Sequence, residues 1–546
     1  MLSRLFWRYI LLRTLAFSLG LVVTGSPAYC QIPVGLNSAT QRTFPLHFYG
    51  ANGQARNSDP WCQTGNNTFA TALQGLQYGL LRFPAGTGSD FWNWQHRPGS
   101  PDADGDFVDN YQLPSGVASP PSPFPSSISE LKSELSSCGK ASVQQMGVFP
   151  LNVLEDPLCQ PPAGSQFCSY GPNSPNESYQ LQLLTALQAN NINVQRVELG
   201  NELYGGGAGH PFVQVYPTAQ GYARSMNQWI TDIKSTDPSV TISLPMAICD
   251  SLVTCDTRKG TWNNNVMAII RGEDAVTLHN YSPSGLTAGP TIDNTSAETM
   301  LNQPFRYWDQ IVSTVFPQLV DSAGATPNVW FTEYNFRDDN IQAAGTWAHG
   351  LYLATYSLLY ATNARVRMAL HHAVQGGAEF ADIFDSTTGF SQFPVVGPLV
   401  NTKLYGYSAS GLTSREVDNA ALGQNQAEAL TFNGGPAFPD GHPKLIGELF
   451  SGAGNRQIII LNLDNVAHLA DLSALNILSG SYRQIWGAAG SYVDGFSATG
   501  GFEAWIINNP TTNPTRTEHD LTLLTQPSVP TTLTLHAFSI TRITAN

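Results

Sequence analysis

Charge is scarce in this chain of 546 residues. Asp, Glu, Lys and Arg together make up only 12%, and 26 basic residues face 40 acidic ones. The formal net charge of −14 repels polyanions at long range. That argues against nucleic-acid binding and against electrostatic capture of a sulfated polysaccharide. The sequence also has no Cys-x-x-Cys pair, which argues against a zinc site. Beyond the N-terminal segment no run of about 18 apolar residues occurs, so no later segment reads as a membrane-spanning helix. No internal repeat is evident. What remains is aromatic-rich (10%), with 49 glycines and 36 prolines, the composition of a globular protein with many loops.

Residues 1–30 read as a secretory signal peptide. Arg4 and Arg8 precede a mostly apolar stretch from Tyr9 to Val23, and small residues follow up to Ala28. The expected compartment is extracellular or periplasmic, with no membrane attachment once the peptide is removed. Cysteine use agrees with export. Six cysteines follow Cys30, and proximity pairs Cys159 with Cys168 and Cys249 with Cys255, leaving Cys62 for Cys138.

Eight short apolar segments are expected as strands: Leu46–Ala51, Leu80–Pro84, Gln144–Leu151, Gln195–Leu199, Val240–Pro245, Ala275–His279, Asn328–Glu333 and Arg367–His371. Runs without polar alternation are typical of buried parallel strands. Helical patterns lie between them at Ser178–Asn190, Gly221–Ser235 and Ala343–Thr362. Eight strands alternating with helices point to a (β/α)₈ barrel over residues 31–410. From 411 to 546 helical periodicity fades and β-runs such as NRQIIILNLD appear between glycine turns, the pattern of a β-sandwich. Its first strand is expected at Ser414–Asp418.

Barrel enzymes carry their chemistry at the C-terminal strand ends. Here the second expected strand holds Arg82, the fourth ends in Glu198-Leu199-Gly200-Asn201-Glu202, the sixth in His279-Asn280-Tyr281, and the seventh in Glu333-Tyr334-Asn335. A lone glutamate at a strand end is ordinarily a surface residue. Two of them on apolar strands four and seven, with amide, phenol and guanidinium neighbours, match the paired carboxylates of glycosidic bond cleavage. His371-His372 has no partner at metal-ligand spacing, and Tyr204-Gly205-Gly206-Gly207 lacks the Lys and Ser/Thr of a phosphate loop. No cofactor or metal is expected, and the Gly-rich segment reads as a flexible loop.

The segment VELGNELYGGG, with QGYARSMNQW downstream, resembles the acid/base region of the heparanase and β-glucuronidase family of retaining (β/α)₈ glycosidases. LRFPAGTGSDFWNW and LHNYS resemble second- and sixth-strand segments of the same clan, and the likeness extends over most of residues 40–546. Thr332-Glu333 departs from the Gly-Glu of animal and plant heparanases. The resemblance implies Glu202 as acid/base and Glu333 as nucleophile. Glu202 is expected to be protonated at rest, and Glu333 ionised and held by Arg82 and Tyr281. Asn201 is expected to donate to a sugar hydroxyl, and Trp92 to offer a stacking face. His279 reads either as a subsite residue or as a buried structural histidine. Glu198 is expected to be structural, and one of His371 and His372 to face the pocket. The implied partner is an oligosaccharide, polysaccharide or glycoconjugate, with β-glucuronides first. Arabinofuranosides, xylosides and other plant-wall glycosides are the alternative within the clan. A non-catalytic carbohydrate-binding surface protein is the alternative outside it.

Overall fold

The computed structural model describes residues 31–53, 75–83, 86–91, 147–151, 153–154, 175–206, 211–249, 255–286, 292–337, 343–374, 381–385, 405–452, 454–491 and 521–546, with single positions at 73, 128 and 132. Residues 1–30, Trp92, and Cys62, Cys138, Cys159 and Cys168 lie outside the described residues.

Two short strands come first, β1 (Ile32–Leu36) and β2 (Arg42–Thr43). The barrel follows: β3 (Tyr49–Asn52), β4 (Leu80–Arg82), β5 (Gly147–Leu151), β6 (Val194–Leu199), β7 (Thr241–Met246), β8 (Ala275–Pro283), β9 (Asn328–Arg337) and β10 (Val366–His371). These close in sequence order, with β10 beside β3, and every neighbouring pair is parallel. All eight strands fall where the apolar runs predict them. β8 and β9 run on past the expected ends, through the polar residues at the barrel mouth.

Strand alternation sets which side chains enter the barrel. Leu80, Val148, Ala275, Trp330, Met368 and Leu370 form a small apolar plug on its axis. Leu81, Val276 and Phe331, next in sequence to plug residues, pack in the main core outside the strands. Two residues beyond Leu80, Arg82 therefore points inward above the plug, fully buried.

The second part is a ten-stranded sheet that ends the chain: β13 (Gln426–Phe432), β14 (Leu445–Ser451), β15 (Arg456–Asn462), β16 (His468–Asp471), β17 (Gly480–Trp486), β18 (Thr522–Gln526), β19 (Thr532–Leu535) and β20 (Ser539–Ala545), completed by β1 and β2. A small hairpin of β11 (Ile383–Asp385) and β12 (Tyr405–Tyr407) precedes it. Both faces of β15 are buried. Ile458 and Ile460 join Ile32, Val34, Leu533 and Leu535 in the domain's own core, while Ile459 and Leu461 join the main core. That two-sided burial is why NRQIIILNLD shows no polar alternation.

Two expectations are corrected here. Ser414–Asp418 is not a strand: it lies inside the helix Ala409–Ala421, whose N-cap Ser408 accepts the Gly411 N–H. Leu412, Val417, Ala420 and Ala421 give that helix a buried apolar side. Its Glu416 is buried against Arg483 and Arg542, both at 2.7 Å, tying helix to sheet. The boundary at 410/411 thus falls within a helix. At the other end, β1 pairs with β13 and β16, and β2 with β13, so residues 32–43 belong to the β domain. The helix Trp347–Thr362 is buried almost all round because it is sandwiched between the barrel and this domain, and Trp347 Nε1 donates to the Phe538 carbonyl at 2.6 Å.

Candidate active site

Arg82 organises the barrel mouth. Its Nε and Nη2 grip the Glu198 carboxylate at 3.1 and 2.7 Å. Nη2 also donates to Asn201 Oδ1 at 2.8 Å, and Nη1 to Asn52 Oδ1 at 3.0 Å and Glu333 Oε1 at 2.5 Å. The guanidinium is thus shared among four partners rather than reserved for Glu333. Glu198 takes the structural role expected of it, two residues before the turn that carries Glu202. Removing one partner of a buried charge pair strands the other, so Arg82 and Glu198 stand or fall together.

Glu333 reaches this cluster through an irregularity in β9. The pairing of β8 with β9 shifts between Leu278 and His279, and the pairing of β10 with β9 shifts beyond Ala369. Both shifts leave one extra residue on β9, a β-bulge at Thr332-Glu333. Trp330 points into the plug and Phe331 out of it. Simple alternation would turn Thr332 in and Glu333 out; the bulge turns both in. Thr332 Oγ1 meets His279 Nε2 at 3.1 Å, and Glu333 Oε2 accepts the Tyr281 hydroxyl at 2.5 Å.

Burial by itself would push the Glu333 carboxyl up. His279, His372, Arg82 and the Tyr281 hydrogen bond outweigh it and hold the group down to about 2. It is therefore a carboxylate at any working pH, 6% exposed.

Glu202 sits on a different kind of backbone. β6 ends at Leu199; Gly200 follows at φ +90° and Glu202 at φ +48°, both left-handed. A Cβ on Gly200 would lie 2.6 Å from Leu203 Cδ1 and 2.9 Å from Val153 Cγ2, so the turn requires glycine. The Glu202 side chain is 35% exposed and faces the cleft. Its Oε1 accepts from Tyr204 Oη at 3.1 Å and meets His279 Nδ1 at 3.0 Å. Tyr204 is thus buried and hydrogen-bonded rather than part of a loose loop. The helix Thr257–Met267 braces this turn: Arg258 donates to the Leu203 carbonyl at 2.8 Å, and Lys259 Nζ lies 5.3 Å from the Tyr204 ring centre. The expected disulfide Cys249–Cys255 is formed just before that helix.

His279 bridges the two acids. Its Nδ1 lies 3.0 Å from Glu202 Oε1 and 3.7 Å from Glu333 Oε2. Burial would lower the imidazole pKa, but Glu333 and Glu202 raise it above its usual value. Burial would raise Glu202, but His279 brings it below the usual carboxylate range. Each group favours the charged form of the other, so Glu202 and His279 share a proton across this contact. His279→Ala removes that partner and leaves burial and Glu333 to raise Glu202 from its ordinary value. The basic limb of kcat/KM is expected to move when the imidazole is removed. An unmoved limb would sink the bridge.

Of the sequence-predicted residues, Arg82, Asn201, Glu202, His279, Tyr281 and Glu333 converge on this mouth. Asn201 gives its Oδ1 to Arg82, which leaves its NH₂ as a donor. His372, stacked edge-on against Tyr281 at 5.7 Å, is the member of the histidine pair on the pocket side; His371 turns away to Asp382 at 2.7 Å. Asn280, which opens an Asn-Tyr-Ser glycosylation sequon, is buried and donates to Tyr360 Oη at 2.7 Å, so that sequon is closed to a glycan. Sequence reasoning missed Asn52 and Asp90. Asn52 ends the first barrel strand, the one position where a polar strand end was present as a signal.

Fold and site together define a (β/α)₈ barrel with a β domain and a histidine-bridged carboxylate pair at strands four and seven. The sequence matches no family profile and no curated protein. Solved structures match the fold over almost the whole chain. A family 51 α-L-arabinofuranosidase from Bifidobacterium longum has TM-score 0.62 at 14% identity, covering 94% of this chain and 99% of its own. A GH51 arabinofuranosidase from Xanthomonas axonopodis pv. citri gives 0.63 at 14%, covering 94% and 100%. A 4-O-α-L-rhamnosyl-β-D-glucuronidase from Fusarium oxysporum 12S gives 0.52 at 14%, covering 94% and 99%.

Proposed function

We propose that the protein is a retaining glycoside hydrolase. One observation carries this reading: the single nitrogen near both acids limits the separation of those two oxygens to about 6.7 Å at most, which admits the retaining spacing and only the lowest edge of the inverting one. Retaining enzymes keep their carboxyl groups about 5–5.5 Å apart, and inverting ones roughly 6.5–9.5 Å. Glu333, ionised and sheltered, attacks the anomeric carbon while the glycosidic C–O bond breaks. Glu202, open to the cleft, passes the proton it shares with His279 to the departing oxygen. Water then attacks the glycosyl ester, Glu202 takes its proton, and Glu333 leaves as a carboxylate. The signal-like N-terminus supports action outside the cytoplasm.

For the sugar, the sequence around Glu202 favours β-linked glucuronic acid, in keeping with the substrate named for the Fusarium fold. The two arabinofuranosidase folds, with their higher TM-scores, favour an α-L-arabinofuranoside. A uronate carboxylate needs a cation, amide N–H groups or hydroxyls. Among the described residues Arg82 is occupied by Glu198, Asn52, Asn201 and Glu333, so hydroxyls and backbone amides carry that duty. Small or neutral-backbone β-glucuronides fit this better than heparan sulfate, which the net charge of −14 repels. The test compares kcat/KM on aryl β-glucuronide, β-glucoside, β-xyloside and α-L-arabinofuranoside, with the anomer of the first product read by NMR. Retention and a glucuronide preference of about tenfold, roughly 1.4 kcal/mol, are expected. The same preference for the arabinofuranoside would transfer the assignment to that sugar. An inverted product would sink the mechanism, and no turnover on any of the four would leave a carbohydrate-binding role.

A further inference from the structure

Asp90 has no place in the chemistry above, yet it is fully buried beside it. It lies on the 3₁₀ turn Gly86–Phe91 that follows β4, and its Oδ1 accepts the backbone N–H of Asn201 at 2.9 Å. Its Oδ2 is also buried, with no hydrogen-bond partner among the described residues. The amide it holds is the middle one of Gly200-Asn201-Glu202, where the residues on either side are left-handed. A glutamate does not stay at φ +48° unless its surroundings impose it. Asn201 is held twice: its side chain by Arg82 and its backbone by Asp90.

We propose that Asp90 is a positioning residue for the acid/base, a buried carboxyl group that fixes the turn from which Glu202 projects. The charged groups facing it are Arg82, Glu198 and Glu202. Burial pushes the Asp90 carboxyl well above the usual range, and Glu202 and Glu198 add to that against the Asn201 hydrogen bond and Arg82. An ionised Asp90 would repel the carboxylate of Glu202 and raise its proton affinity. A neutral one fixes the backbone without disturbing the proton shared with His279. An amide can do the same, since it offers the same carbonyl acceptor and the same charge.

This inference rests on Glu202 being the acid/base, and the experiment separates the two. The full-length protein and its Asp90→Asn, Asp90→Ala and Glu202→Gln variants are assayed on dinitrophenyl and methoxyphenyl glycosides of the preferred sugar. Their kcat/KM is followed against pH. Asp90→Ala is expected to lower kcat/KM about tenfold or more on the methoxyphenyl substrate, which needs an acid, and less than about threefold on the dinitrophenyl one. On the dinitrophenyl substrate kcat and KM should fall together as the glycosyl ester accumulates. Asp90→Asn should restore most of kcat/KM and keep the native basic limb. Equal losses on both substrates in Asp90→Ala would overturn the role, as would a basic limb displaced in Asp90→Asn. If Asp90→Ala does not fold, the limb in Asp90→Asn decides. Discrimination between leaving groups in Glu202→Gln but not in Asp90→Ala rejects Asp90 alone. Its absence in Glu202→Gln rejects both assignments.

Discussion

Glu333→Gln is expected to lower kcat by at least about 10⁴-fold, equivalent to about 5.4 kcal/mol of barrier. The amide cannot form the glycosyl ester, so no rescue by better leaving groups is expected. The fold should survive. Arg82 keeps Glu198 as its principal partner, and the oxygen of the introduced amide can still accept from Arg82 or Tyr281. The variant should instead change proton binding. Native Glu333 titrates near 2, below its ordinary 4.5. Its depressed pKa contributes stability that is complete above about pH 4.5 and is lost as the pH falls toward 2. The variant should lose that part of the acid sensitivity. Steady-state assays and acid unfolding of both proteins measure the two effects, and near-native turnover would refute the assignment of nucleophile.

Glu202 should behave differently, because protonation matters only when the leaving group is poor. Glu202→Ala is expected to lose about 10²- to 10⁴-fold in kcat/KM on a methoxyphenyl glycoside and far less in kcat/KM on a dinitrophenyl glycoside. With the fast-leaving substrate the glycosyl ester accumulates, since the water that must cleave it has lost its base. Azide needs no base. It should speed turnover of Glu202→Ala and yield a glycosyl azide with the configuration of the substrate. Azide should do nothing for Glu333→Gln. Rescue of that variant, or a uniform loss on both substrates in Glu202→Ala, would exchange or remove the assigned roles.

The barrel was legible because its strands are buried on both faces, so short apolar runs without polar alternation, such as that ending at Phe331, recur between helical patterns. The strand-end residues were legible because Arg82, Glu198, Glu202, His279 and Glu333 interrupt such runs with groups whose burial needs partners. Other features were not legible, for physical reasons. Ser414–Asp418 looked strand-like in isolation because five residues are too few to separate the two periods. The pairing of His279 with Glu202 is a 3.0 Å contact between the ends of strands six and four that no local pattern encodes. The bulge at Thr332 is equally silent, since Thr-Glu reads the same with or without an extra residue in the ladder. Asp90 is remote in sequence from Asn201, and only the closed barrel brings them together.

The pairing of β1 with β13 also sets the order of events during synthesis. Val34 meets Phe432 and Leu36 meets Leu430, so a strand made at the beginning waits for nearly the whole chain before it finds its partner. The barrel lies entirely inside that loop. Closing so long a loop costs only logarithmically more free energy than closing a short one, so the penalty falls mainly on time. Until β13 emerges, Ile32 and Val34 present an apolar edge that invites wrong pairing. The barrel therefore has its eight strands before β1 is secured, and β1 acts as a clasp that closes around the barrel and starts the β domain, since β14 to β20 follow β13 in the chain.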